Sequence, residues 1–137
     1  MTIHSVDVKR MVMIRIDAGD DILDALKQAV EREKIRNGMI VNGLGSSQSH
    51  HYHVVASNEL PPEERFPKAE APRDIVSFSG LIVDGRVHAH ICFTDDTKAE
   101  GGHLEPGTRA LTFAIVAIAD FGEGDFSFDG WDSIDFR

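Results

Sequence analysis

Residues 75–93 read Ile75-Val76-Ser77-Phe78-Ser79-Gly80-Leu81-Ile82-Val83-Asp84-Gly85-Arg86-Val87-His88-Ala89-His90-Ile91-Cys92-Phe93, two apolar runs on either side of Asp84-Gly85. Aspartate-glycine between two such runs signals a tight antiparallel hairpin, because both turn positions need a positive φ that these residues tolerate. The second run carries an H-x-H pair. Residues two apart on a strand share a face, so His88 and His90 present both imidazoles to one side. His103, in Gly101-Gly102-His103-Leu104, follows thirteen residues after His90. A tight turn centred between Asp96 and Thr97 sets opposite each other those residues whose numbers sum to 193, and His90 then faces His103. Directly opposed residues have Cβ atoms about 5 Å apart.

His88, His90 and His103 are therefore the candidate metal ligands. Three neutral imidazoles with an open position form the ligand set of catalytic zinc sites. Nickel, iron and manganese suit the same donors, with zinc the first expectation. Parity also sets Cys92 on the His88 and His90 face as a prospective fourth ligand, although a lone cysteine is commonly a small buried apolar residue. Glu100 and Glu105 flank His103; each could orient an imidazole or act as a base, and each reads first as a surface charge. The competing reading makes the three histidines hydrogen-bonded sheet residues packed beside glycine. In a second cluster, His50-His51-Tyr52-His53, His51 and His53 share a strand face and would join the first set or line its rim. No spacing supplies them with a third partner, so a structural or solvated role comes first.

Residues 11–17 alternate as a first strand, with Arg10 and Arg15 at solvent or salt-bridge positions. The period then changes. Ile22, Leu23, Ala25, Leu26, Ala29 and Val30 recur at helical spacing behind an aspartate N-cap, which predicts a helix over 21–33. Asn37-Gly38 ends it, and a short apolar strand at 39–41 runs into Gly43-Leu44-Gly45-Ser46-Ser47. A dinucleotide fingerprint needs a third glycine and a P-loop needs Gly-Lys-Ser/Thr, so these glycines read as a tight bend or bulge. Residues 57–74 hold four of the five prolines and no apolar period, and read as an exposed loop. A further strand is expected over 110–119. The tail, 121–137, carries Phe126, Phe128, Trp131, Ile134 and Phe136 among acids, and reads as a last edge strand or a segment over an apolar groove. One helix against an antiparallel sheet makes an α+β fold, with 1–137 a single domain whose core is about 11–120.

Fourteen basic against twenty-three acidic residues give a formal charge of −9, which opposes a phosphate backbone and argues against direct DNA binding. No apolar run approaches the roughly 18–20 residues of a membrane span. The single cysteine cannot form an intramolecular disulfide, and residues 1–10 lack the apolar centre of a signal peptide, so the expected location is cytoplasmic.

The run 79–90, with Thr94-Asp95 and Gly101-Gly102-His103-Leu104, resembles the core of the PPC (plant and prokaryote conserved) domain. Arg15-Ile16, Gly19-Asp20-Asp21 and Gly43-Leu44-Gly45-Ser46 are similar too, and the resemblance spans about 11–120. It implies one main helix on an antiparallel sheet, a homotrimer, and a metal held by His88, His90 and His103. Plant members carry a basic AT-hook that binds DNA; this chain has no such motif, so the resemblance implies a prokaryotic stand-alone member. Cys92 stands where a serine is common, and the 50–53 cluster has no family counterpart. The function expected is a metal-binding homotrimer, with hydrolase or lyase chemistry on a small-molecule substrate as the enzymatic form. A non-enzymatic interaction module, or a DNA-associated regulatory one, is the alternative.

Overall fold

Every strand pairing among residues 1–133, which this computed structural model describes, is antiparallel. The elements run β1 (Arg10–Asp17), α1 (Ile22–Arg32), β2 (Gly38–Val55), β3 (Glu64–Arg65), β4 (Lys68–Ala69), β5 (Arg73–Val83), β6 (Arg86–Thr94), β7 (Ala99–Leu104) and β8 (Arg109–Asp120). Across the sheet the order is β1-β8-β2-β5-β6-β7, and β7 returns to pair with β2. Strands β2, β5, β6 and β7 thus close into a ring, with β8 and β1 extending from β2. The α+β architecture expected from the sequence is the one observed.

Closure depends on the length of β2. Its first half pairs with β5 and β8, and its far end sets Tyr52 against Leu104 and His53 against His103. The predicted short strand at 39–41 is only the beginning of this 18-residue element. Register shifts fall between Ile40 and Asn42, Gly45 and Ser47, and Ser47 and Ser49, so the glycine segment bends the strand as expected without ending it. Residues 57–74 are largely exposed, but two short pieces, β3 and β4, pair with β2, and β5 starts at Arg73.

The helix lies where its apolar period placed it. Asp21 caps it by accepting from Asp24 N at 3.1 Å, and its other oxygen accepts from Gly107 N at 2.6 Å, which ties the helix start to the turn before β8. Ile22, Leu23, Leu26 and Val30 enter a core shared with Ile16, Phe78, Ile82, Phe93, Leu104 and Ile118. Full burial of each such side chain contributes about 1.5–3 kcal/mol. Arg10 bonds the buried Asp120 at 2.8 Å and Glu33 at 3.0 Å, and Arg15 pairs with Asp17, as their strand positions suggested.

The tail forms no strand over 121–133. Phe128 is buried instead, against Phe121, Phe126, Trp131 and His4. Ile134 and Phe136 lie outside the described residues. No helix among the described residues is long and apolar enough to cross a membrane.

The Gly101-Gly102 pair explains how β7 fits between two neighbours. A Cβ on Gly101 would lie 2.0 Å from Ile91 O on β6, and one on Gly102 would lie 2.3 Å from His53 O on β2. Both obstacles are backbone, so neither can yield without separating the strands. Gly101→Ala and Gly102→Ala are each expected to destabilise by about 1–3 kcal/mol or more through overpacking. Denaturant unfolding with an unchanged midpoint in both variants would contradict this.

Candidate metal centre

Asp84 and Gly85 both have positive φ, +48° and +77°, and Val83 pairs with Arg86, so the Asp-Gly hairpin forms as its sequence demands. Ala89, Ile91 and Phe93 point into the core. His88, His90 and Cys92 consequently face outward. The next turn is built by Asp95, whose Oδ1 accepts from Thr97 N at 2.8 Å, Thr97 Oγ1 at 2.6 Å and Lys98 N at 3.0 Å. These bonds from Thr97, aided by Lys98 and Arg73, hold the Asp95 carboxyl down to about 2. The turn aligns Thr94 with Ala99 and His90 with His103, the register that the residue count predicts.

His103 therefore has a histidine on both sides. Ser79, His90, His103 and His53 form one cross-strand row over β5, β6, β7 and β2. His88 and His90 lie with rings nearly parallel, at 4°, and their Nε2 atoms are 3.3 Å apart. His103 meets both edge-on, with centroids 4.6 Å from His88 and 5.4 Å from His90. One ligand atom from each of the three lies within 4.8 Å of the others. On the far side, His53 stacks on His103 at 4.4 Å and donates from Nδ1 to Glu105 Oε1 at 2.6 Å.

Burial, then the neighbouring imidazoles His88, His53 and His90, pushes His103 down to about 4. Burial and the same crowding by His88 and His53 lower His90 as well. Near neutral pH these rings are uncharged and keep a lone pair for a cation, the state in which imidazole serves as a ligand. A carboxylate also stands behind His88: Asp132 Oδ2 is 3.5 Å from His88 Nδ1, and Arg86 holds Asp132 at 3.3 Å. Carboxylates in that position orient metal-ligating histidines.

The remaining sequence candidates separate by face. Cys92 shares the histidine face but joins neither donor cluster among the described residues; its Sγ lies 4.0 Å from Phe93 O. Glu100 points away from the histidine face. Burial opposes its charge, yet bonds from Lys98, Arg73 and Tyr52 outweigh that and hold its carboxyl low. Glu105, read first as a surface charge, instead orients His53. His51 donates to Pro106 O at 2.7 Å, away from the cluster. His53 is the residue whose part could not be read from spacing. Its partner comes from β7, and only the bend of β2 brings that strand near.

The family model for the Plants and Prokaryotes Conserved (PCC) domain matches residues 3–122. Among solved structures, the metal-containing protein AF0104 from Archaeoglobus fulgidus is 21% identical, with a TM-score of 0.77 over 90% of this chain and 89% of that one. A plant- and prokaryote-conserved (PPC) protein from Pyrococcus horikoshii is 23% identical, with a TM-score of 0.71 over 90% and 87%. A protein from Bacteroides thetaiotaomicron, put forward as DNA-binding, is 20% identical, with a TM-score of 0.74 over 85% and 82%. At these identities the likeness is one of fold. The bifunctional protein GlmU of Synechococcus sp. (strain JA-3-3Ab) is 27% identical over 119 residues; the match spans 86% of this chain and 18% of GlmU.

A pH dependence follows from His50, on the core side of β2. It is 4% exposed and packs on Phe93 and Tyr52. Burial lowers its pKa from 6.5, more than Glu100, 3.7 Å away, raises it; Arg73 and Lys98 also lower it. A depressed histidine binds its proton more readily when unfolded, so its contribution is present above pH 6.5 and is lost as pH falls below it. His50→Gln is expected to flatten the acid limb of melting temperature against pH below 6.5. An identical slope in variant and wild type would refute this.

Proposed function

The chain belongs to the Plants and Prokaryotes Conserved domain family, and on that footing we propose that it is a metal-binding protein with a three-histidine centre. One observation carries this reading: His88, His90 and His103 bring ligand atoms within 4.8 Å of one another from adjacent strands. Three imidazoles fit a borderline divalent cation, zinc first among them, and leave a coordination position open. When bound, such an ion supplies Lewis acidity at that position. The protein's part is orientation: Asp132, held by Arg86, sets the His88 ring, and β6 and β7 fix the spacing of the other two. The metal-containing character of the Archaeoglobus protein, on the same fold, supports the reading. A small-molecule substrate and hydrolase or lyase chemistry are the enzymatic form of this proposal.

The same reading takes the protein as a homotrimer. Met11, Met13, Met39 and Leu44 are exposed on the outer face of β1 and β2, at 51%, 66%, 46% and 55%. They share that face with Ile115 and Ala117 of β8, and Met39 continues through Leu81 to His88 in one cross-strand row. A largely apolar face of this kind, interrupted by Arg15 and Asn42, suits a self-association surface, and it borders the histidines.

Metal analysis of the purified protein is expected to give close to one zinc per chain for this centre, strongly reduced in His90→Ala/His103→Ala. A metal-poor wild type, or undiminished metal in the variant, would sink the proposal. Light scattering on the same sample is expected to read three chains; a single-chain mass would remove the trimer. Direct DNA binding is not part of the proposal, given a formal charge of −9. A duplex shifted at low salt and released by added salt would favour the DNA-associated reading instead.

A further inference from the structure

The β2 side of His103 carries donors that the three-histidine position leaves unused. His53 Nδ1 is 2.6 Å from Glu105 Oε1, and its Nε2 is 3.7 Å from Glu64 Oε1. The His53 and Glu105 side chains are 19% and 22% exposed, partly screened from water. Ligand atoms of His53, His103 and Glu105 lie within 4.8 Å of one another, the same span that relates the three histidines.

A hydrogen-bonded pair alone would satisfy His53 and Glu105, but the surroundings exceed what such a pair needs. His53 has a carboxylate near each ring nitrogen. A third donor, His103, stacks on its face at 4.4 Å with no hydrogen bond between them. His103 itself pairs with His90 on β6 and with His53 on β2, so a cluster of donors flanks it on either side. An imidazole has two nitrogens on separate edges of the ring and can serve one cation with each.

We propose that His53, Glu105 and His103 form a second divalent-cation position that adjoins the three-histidine one and shares His103 with it. The inference rests on the metal-centre reading in taking His103 as a ligand there. Imidazole with carboxylate suits zinc or manganese. Two dications held a few ångströms apart repel, and Glu105, with Glu64 beyond His53, supplies negative charge that the all-imidazole position lacks. A ring that serves both positions releases its remaining N–H proton to solvent as the second ion binds.

Equilibrium dialysis of the full chain against zinc alone, followed by metal analysis, tests the proposal. Two ions per chain are expected for the wild type, and one each for Glu105→Gln, His53→Ala and His88→Ala/His90→Ala. His53 and Glu105 lie outside the core, so the melting temperature of the metal-free Glu105→Gln and His53→Ala proteins is expected to stay near wild type. That control separates lost binding from lost fold. Saturation at one ion that His88→Ala/His90→Ala abolishes would overturn the second position and leave the three-histidine reading standing. No bound ion in the wild type would overturn both. Two ions retained in Glu105→Gln and His53→Ala would likewise overturn the second position.

Discussion

The return of β7 to the far end of β2 is the constraint on which the rest of the structure depends. Without it the sheet is an open path from β1 to β7 with an unpaired edge, and His103 has a neighbour on one side only. With it, four strands close into a ring and the end of β7 at His103 and Leu104 gains a partner, while β1 stays an edge strand; the pairing satisfies backbone groups that would otherwise be left exposed. Gly101 and Gly102 make the fit possible, one facing the backbone of β6 and the other that of β2 at distances no side chain tolerates. The same glycines therefore set the spacing of the strands and the spacing of the histidines.

Ring closure also produces the electrostatic character of the cluster. Four imidazoles from three strands occupy one outward patch, and this crowding, with burial, disfavours a proton on His90 and on His103. The acids sit at the margin: Glu105 and Glu64 beside His53, Asp132 behind His88. Neutral donors in the middle with carboxylates at the edge are the layout a cation needs, because ligands must be deprotonated and oriented before they bind. The apolar outer face of β1, β8 and β2 runs up to this patch through Met39 and Leu81.

Much of this is legible in the order of the residues. The Asp84-Gly85 hairpin, the helix behind Asp21 and the opposition of His90 and His103 all follow from turn chemistry and parity within a few residues of chain. The family likeness, drawn from the H-x-H and Gly-Gly-His-Leu segments, agrees with the match over residues 3–122. The features that local patterns shorten or misplace are non-local ones. β2 continues well beyond residue 41 because bulges let it bend and acquire new partners, and an apolar-period reading stops where Gly43 and the serines begin. The tail's aromatics suggest an edge strand or a segment over an apolar groove; no strand forms over 121–133, and Phe128 packs among Phe121, Phe126 and Trp131.

By itself, then, the sequence determined which residues share a face within each strand, and so named His88, His90 and His103. Those relations depend on a fixed period and on tight turns, both of which are short-range. Only the tertiary structure decided that His53 and Glu105 belong beside them, and that Cys92 and Glu100 do not. Strand pairing across about fifty residues of intervening chain is set by the bend of β2 and the close approach of backbones at Gly102; glycines mark both places along the chain, but nothing local says which strand they bring alongside.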